Sequence, residues 1–259
     1  MGGALIRCLA AGVVPELELC GAAEREDHPS VGQDSSRWAG AGDNAVSILG
    51  SLEEAARPCD VIVDFSFHSV TSGNASRIAA MKKAWVIGTT GLTDEEKAKI
   101  EEAAREIPVV MAPNMSLGVN LLLSLVERAA RALKNRGYDI EVIERHHNLK
   151  KDAPSGTALA LGAAAAAGYD LALEEVARHG RGGMTGERVR EEIGFHAVRA
   201  GDFVGDHTVL FGTQGESIEL SHRATNRDTF AVGALRAAAW VVGKPPGLYS
   251  MNDVLGLSD

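Results

Sequence analysis

Cysteine is scarce: Cys8, Cys20 and Cys59 are the three in 259 residues, with neither C-x-x-C spacing nor the companion histidines of a zinc site. They read as buried, reduced cysteines. Aromatic residues make up only 5% of the chain. No apolar run approaches the roughly 20 residues that cross a bilayer, and no signal-peptide pattern opens the chain, so a cytoplasmic location without membrane association is expected. An excess of basic residues is missing too. Lys and Arg number 26 against 35 Asp and Glu, a net charge of -9, which argues against the basic face of a nucleic-acid-binding protein. Neither H-E-x-x-H nor a carboxylate triad occurs, so no catalytic metal is expected. What is there, 45% hydrophobic and 24% charged residues, describes a globular chain able to bury a substantial core in one large or two modest domains.

The first half alternates strand-like and helix-like segments, the pattern of a parallel sheet with helical crossovers. Leu17 to Ala23, Val61 to Phe65, Trp85 to Gly91 and Val109 to Asn114 read as strands or strand ends. Helices are expected from about Val70 to Lys82 and from Thr93, whose Glu96 three residues on makes a capping box, to about Arg105. After a linking helix, Leu117 to Lys134, the character changes. Ile193 to Arg199, Asp206 to Phe211 and Ser217 to His222 read as an antiparallel meander joined by Gly-Asp and Gly-Glu turns. With the strand Asp139 to Ile143 they form a second domain, and Phe230 to Val242 is a late helix belonging with the first. The fold class is therefore α/β: a Rossmann-like parallel sheet domain, 1–116 plus 227–259, and an α+β domain with a mainly antiparallel sheet, 117–226.

Between a strand and the alanine-rich helix Ala158 to Ala167 lies His146-His147-Asn148-Leu149-Lys150-Lys151-Asp152-Ala153-Pro154-Ser155-Gly156-Thr157. It packs imidazoles, ammonium groups and a helix start into twelve residues, a combination suited to holding a small dianion. Pro154 suits the first turn of the helix, Ser155 and Thr157 offer cap oxygens, and Gly156 lets a ligand approach the backbone. Free N–H groups at the helix start, with the positive end of the dipole, bind a carboxylate or a phosphate. Lys150 supplies a point charge and a transferable proton, and His146 and His147 donate hydrogen bonds or exchange a proton near neutral pH. Asp152 can orient one of these groups, and Arg145, Lys150 and Lys151 make a local positive pocket against the overall sign of the chain. Arg188, Arg199 and Arg223 read individually as solvent-exposed or ion-paired.

The run resembles the signature of the dihydrodipicolinate reductases, H-H-x-x-K-x-D-A-P-S-G-T-A, which it matches at every fixed position. Thr185 to Arg188, Gly194-Phe195 and Arg199 to Asp202 resemble the same family's substrate domain. The resemblance implies reduction of 4-hydroxy-tetrahydrodipicolinate by NADH or NADPH, a small dicarboxylate substrate and a homotetramer built on the second domain's sheet. It makes Lys150 the proton donor, gives His146 an acid/base or substrate-binding role, puts His147 on one substrate carboxylate, and puts Ser155, Gly156 and Thr157 on the other. It also implies cofactor contacts from the strand-end tips: Ser66 and Phe67, Gly88-Thr89-Thr90, and Ala112-Pro113-Asn114-Met115. By composition alone each tip reads equally well as a plain strand-to-helix turn.

Met1-Gly2-Gly3-Ala4-Leu5-Ile6-Arg7 resembles the last part of the family's G-x-x-G-R-M-G element, which puts Met1 beside the cofactor. The strand and glycines expected before it are not in the sequence, so the chain is expected to start at an internal methionine of a longer protein or to be a shortened form of one. Glu24 follows the second strand at the separation of a carboxylate that grips the adenosine ribose, and Arg25 can meet a 2'-phosphate. Composition alone makes Glu24 to Asp27 a solvated charge run. The lost glycine turn keeps a second function open, a dicarboxylate-binding remnant without productive cofactor binding.

Overall fold

Short apolar runs and longer amphipathic stretches alternate through the first half of the chain, and in the computed structural model, which describes residues 1–258, they become strands and helices in turn. Helix α1 (Gly2–Ala10) is followed by β1 (Ala22–Ala23), α2 (Ser35–Ala39), β2 (Ile48–Leu49) and α3 (Leu52–Ala56). Next come β3 (Val61–Asp64), α4 (His68–Ala80), β4 (Ala84–Ile87), α5 (Asp94–Ala104) and β5 (Pro108–Met111). α6 (Leu117–Leu133) leads into β6 (Asp139–His146), α7 (Gly156–Gly168), α8 (Leu173–Val176) and β7 (Ala177–His179). β8 (Ile193–Arg199), β9 (Gly205–Thr213) and β10 (Glu216–Ala224) precede α9 (Asp228–Val241), β11 (Gly247–Tyr249) and α10 (Met251–Leu255). These elements divide into two units, Met1–Leu117 with the chain from Asp228 onward, and Gly118–Arg227.

The first unit carries a parallel sheet in the order β11-β5-β4-β3. Every residue of β4 is buried, because helices cover both faces. Trp85 and Ile87 pack with Ile78 of α4 and Ile100 of α5, while Val86 packs with Leu5 of α1 and Ala234 and Ala238 of α9. That two-sided burial is why the strand reads as an unbroken apolar run. Thr93 and Glu96 make the expected capping box at the start of α5.

Two expectations for this unit are corrected. Of the strand Leu17 to Ala23, only Ala22 and Ala23 pair, with Ile48 and Leu49; strand propensity yields a strand only where a neighbour takes up the ladder bonds. The cysteines are not all reduced: Cys20 and Cys59 form a disulfide, leaving Cys8 free and buried. Residues 39 apart in sequence reveal nothing of their nearness in space.

In the second unit the sheet order is β10-β9-β6-β8-β7. β9 is antiparallel to both β10 and β6, whereas β8 runs parallel to β6 and β7. The expected meander is thus corrected: β8 and β9 are separated by β6, and the turn joining them crosses the end of that strand. Backbone hydrogen bonds from Ala200 N to His146 O, His147 N to Phe203 O and Asn148 N to Gly201 O tie the turn down. Local turn signals mark where a chain reverses, not which strands it pairs. Leu122 and Val126 of α6 and Ala158, Leu161 and Ala165 of α7 cover one face of the sheet, packing with Val142, Phe195, Val209 and Phe211.

Candidate active site

Strand β6 runs three residues beyond the expected Ile143, and its alternation then places Ile140, Val142, Glu144 and His146 on one face. All four are buried. Glu144 is only 1% exposed, so its charge has to be compensated on the spot. It is: Oε2 accepts from His146 Nδ1 at 2.5 Å and Arg199 Nη1 at 2.8 Å, and Oε1 accepts from Arg199 Nη2 at 2.7 Å and the Ser155 backbone N–H at 3.1 Å. Burial on its own would raise the Glu144 carboxyl, but the bonds from Arg199, His146 and Ser155 outweigh it and hold the group below the ordinary carboxylate range. The register makes this meeting possible, with His146 opposite Arg199 on β8 and Glu144 opposite His207 on β9.

Ser155 is the N-cap of α7, its hydroxyl accepting from Ala158 N at 3.1 Å. Pro154 therefore precedes the cap instead of sitting in the first turn, and Thr157 lies inside the helix. The Ser155 hydroxyl also lies 3.0 Å from His207 Nε2, and the His207 and His146 rings are 5.1 Å apart in an edge-on arrangement. A side chain begun at Gly156 would meet nothing within 4 Å, so the first backbone of α7 is open to a ligand.

Lys150 closes a turn through its N–H to His147 O at 3.2 Å and holds Asp152 at 2.9 Å, which keeps that carboxyl below its ordinary value. Asp152 therefore does orient a basic group. His147 lies 3.5 Å from Arg227, so a guanidinium joins the imidazole there. Arg145 does not join: it is exposed and, one residue from His146, sits on the opposite face of β6. Lys151 is exposed. Arg188 and Arg223 are ion-paired as expected, with Asp139 and Glu141 and with Asp206. Arg199 is ion-paired as well, but to the buried Glu144 at the centre of the cluster.

Sequence reasoning missed Glu144, His207 and Arg227. Alternation through a strand three residues longer would have put Glu144 beside His146. The other two needed the sheet order.

In the first unit the expected cofactor residues lie at the carboxyl ends of β3, β4 and β5, where ligands bind in open parallel sheets. Asp64 accepts from Ser66 N at 2.7 Å, Thr71 Oγ1 lies 2.9 Å from Thr89 Oγ1, and Thr89 donates to Ser66 O at 3.0 Å. Phe67 is 68% exposed at the start of α4, whose N-cap makes no side-chain hydrogen bond. Thr90 and Pro113 are exposed, Ala112 and Met115 are buried, and Asn114 accepts from Ser116 N at 2.9 Å. Met1 is the N-cap of α1, again without a side-chain bond, and the Gly2 and Gly3 N–H groups have no acceptor within the helix. Nothing lies within 4 Å of where a side chain of Gly2 would begin. Glu24 and Arg25 are exposed, Arg25 pairing with Asp27 at 3.2 Å. An uncapped helix start with open glycine, together with polar strand ends, fits a dinucleotide.

The family model described as dihydrodipicolinate reductase, N-terminus, matches residues 1–115, and that described as dihydrodipicolinate reductase, C-terminus, matches 118–255. The chain is 47% identical over 257 residues to the 4-hydroxy-tetrahydrodipicolinate reductase of Anaeromyxobacter dehalogenans, covering 99% of this chain and 94% of that one. It is 50% identical over 239 residues to the enzyme of the same name from Geobacter sulfurreducens, covering 92% and 90%. Among solved structures, a dipicolinate-bound dihydrodipicolinate reductase from Paenisporosarcina sp. TG-14 has the same fold, with a TM-score of 0.72 at 24% identity over 96% of this chain and 94% of that one.

Proposed function

The chain belongs to the dihydrodipicolinate reductase family, and from that premise we propose that it reduces 4-hydroxy-tetrahydrodipicolinate to tetrahydrodipicolinate in lysine and diaminopimelate biosynthesis, using NADH or NADPH. The observation that carries the reading is the second unit's cluster, in which His146, Lys150 and the open start of α7 lie on consecutive pieces of one strand, turn and helix. The substrate loses its 4-hydroxyl and a ring proton as water, and the nicotinamide, when bound, would supply the hydride to the conjugated imine that remains. Lys150, steadied by Asp152, gives the proton that the reduced ring takes up. His147 with Arg227 holds one substrate carboxylate, and Ser155, Gly156 and Thr157 hold the other through hydroxyl and backbone donors at the helix start. His146 faces the ring between them as an acid/base or binding group. Two charged ends held by fixed donors orient the ring, and orientation with charge neutralisation provides much of the rate.

The first unit, on this reading, is the dinucleotide-binding domain and the second the substrate-binding and oligomerisation domain. Met1 with the start of α1 takes the pyrophosphate, Glu24 the adenosine ribose and Arg25 a 2'-phosphate. Ser66, Phe67, Gly88, Thr89, Thr90 and the segment Ala112 to Met115 border the nicotinamide half, with Phe67 offering an exposed ring. No helix among the described residues is long and apolar enough to cross a membrane. The protein works as a cytoplasmic homotetramer.

The test follows nicotinamide absorbance with freshly generated substrate, for the wild type and Lys150→Ala. Turnover with either cofactor is expected, falling about 100-fold or more in the variant. A wild type that binds pyridine-2,6-dicarboxylate but neither reduced cofactor would overturn the reductase reading in favour of a binding protein. Unchanged turnover in Lys150→Ala would remove that residue from the proton transfer.

A further inference from the structure

We propose that Glu144 is the positioning residue of the substrate site, a single buried carboxylate that fixes the proton of His146 on Nδ1 and locks the strand, the Lys150 turn and the start of α7 together. The proposal rests on the reductase reading, in which His146 faces the substrate.

The hydrogen-bond arithmetic carries it. Each Glu144 oxygen already accepts two bonds, so the group has no free lone-pair direction to offer a ligand. An ionised carboxylate can only accept, so at 2.5 Å the His146 Nδ1 has to be the donor. In the neutral ring Nε2 is then the unprotonated nitrogen, turned away from Glu144 and available to a substrate proton. Gly205 gives that edge its room: a side chain begun there would sit 3.0 Å from Nε2.

The same carboxylate reaches the other two parts of the site. Through Oε1 it holds the Ser155 N–H, the residue that caps α7. Through Arg199, whose Nη2 also donates to Asp152 O at 2.7 Å, it holds the segment whose Asp152 side chain pairs with Lys150. Arg199 is held in turn by donating Nη1 to Val198 O at 2.8 Å. One ionised group thus sets the mutual placement of an imidazole, an ammonium and a helix start, which are the groups the substrate needs in register.

Glu144→Gln tests this with little change of shape. The amide nitrogen is a donor and has to face one side of the old carboxylate. On the Oε1 side it would oppose the Ser155 N–H and an Arg199 N–H. On the Oε2 side it would oppose one fixed donor, Arg199 Nη1, because His146 can accept by moving its proton to Nε2. The experiment is nitrogen-15 NMR of the histidine rings in the full-length protein, with His146 assigned by its loss in His146→Asn, alongside turnover with NADH or NADPH. Expected are Nδ1–H in the wild type, Nε2–H in Glu144→Gln, and a fall in kcat of about 100-fold with the cofactor KM unchanged. Glu144→Asp, which keeps the charge, is expected to restore the Nδ1–H form and part of kcat. A wild-type neutral ring protonated on Nε2, or wild-type kcat in Glu144→Gln, would overturn the proposal. If Glu144→Gln does not fold, the wild-type spectrum alone decides it. A wild type with Nδ1–H but no turnover would instead sink the reductase reading and leave the proton placement standing.

Discussion

His207 is held to a pKa of about 4, against 6.5 for an ordinary imidazole, first by burial and then by the nearby His146, with His222 and Lys150 adding to the shift and Glu144 opposing it. The ring is 4% exposed and therefore neutral at pH 7, beside the Ser155 hydroxyl. Because the folded value is depressed, the unfolded chain binds the proton first as pH falls. Stability is complete above about pH 6.5 and is lost between there and pH 4, a loss of about 3 kcal/mol from this one ring. Urea unfolding at pH 7.5 and pH 4.5 checks this: His207→Gln should lose about 2 to 3 kcal/mol less than the wild type on acidification. Equal losses would show that His207 is not the group responsible. At this scale the motif residues were legible because each type carries its chemistry with it, as with the ammonium of Lys150 or the cap oxygen of Ser155. Glu144, His207 and Arg227 were not, because a buried carboxylate or imidazole looks in sequence like any other until its neighbours are known.

Element packing makes opposite demands on two helical glycines. In α9, a side chain begun at Gly233 would lie 1.8 Å from the backbone oxygen of Met115, so an added methyl has to displace main chain. In α4, one begun at Gly73 meets nothing within 4 Å. Gly233→Ala should therefore destabilise by about 2 to 3 kcal/mol through overpacking, while Gly73→Ala should stabilise by up to about 1 kcal/mol through helix propensity. Thermal unfolding should move the two midpoints in opposite directions; a shift of the same sign in both would contradict the packing described. Most helices were legible from periodicity and caps, with α5 the plainest case because Thr93 and Glu96 bond reciprocally within four residues. Strands fared less evenly. Leu17 to Cys20 lack the partner that would make them a strand, and short β7 and β11 are strands only because β8 and β5 lie beside them.

For the whole molecule, the sheet of the second unit is covered by α6 and α7 on one face, while the other presents Ile143, Val198, Thr208 and Leu210, none of them fully buried. The same face also carries Glu141, Arg145, His196 and Asp206, so it is a mixed surface, and its incomplete burial is what leaves it available to the proposed tetramer. Sedimentation equilibrium should give the mass of four 27.2 kDa chains, and Leu210→Lys should lower it. A wild-type monomer would remove the assembly from the proposal. The sequence by itself determined the family, the α/β class and the residues of the signature run, because capping, strand alternation and a twelve-residue motif are all local. Only the tertiary structure decided that β6 lies between β8 and β9, that Cys20 meets Cys59, and that Glu144 is enclosed by Arg199, His146 and Ser155. The physical reason is the same each time: which strands pair, and which distant side chains compensate a buried charge, follows from how the whole chain minimises exposed apolar surface and unpaired polar groups, and no window of sequence contains that information.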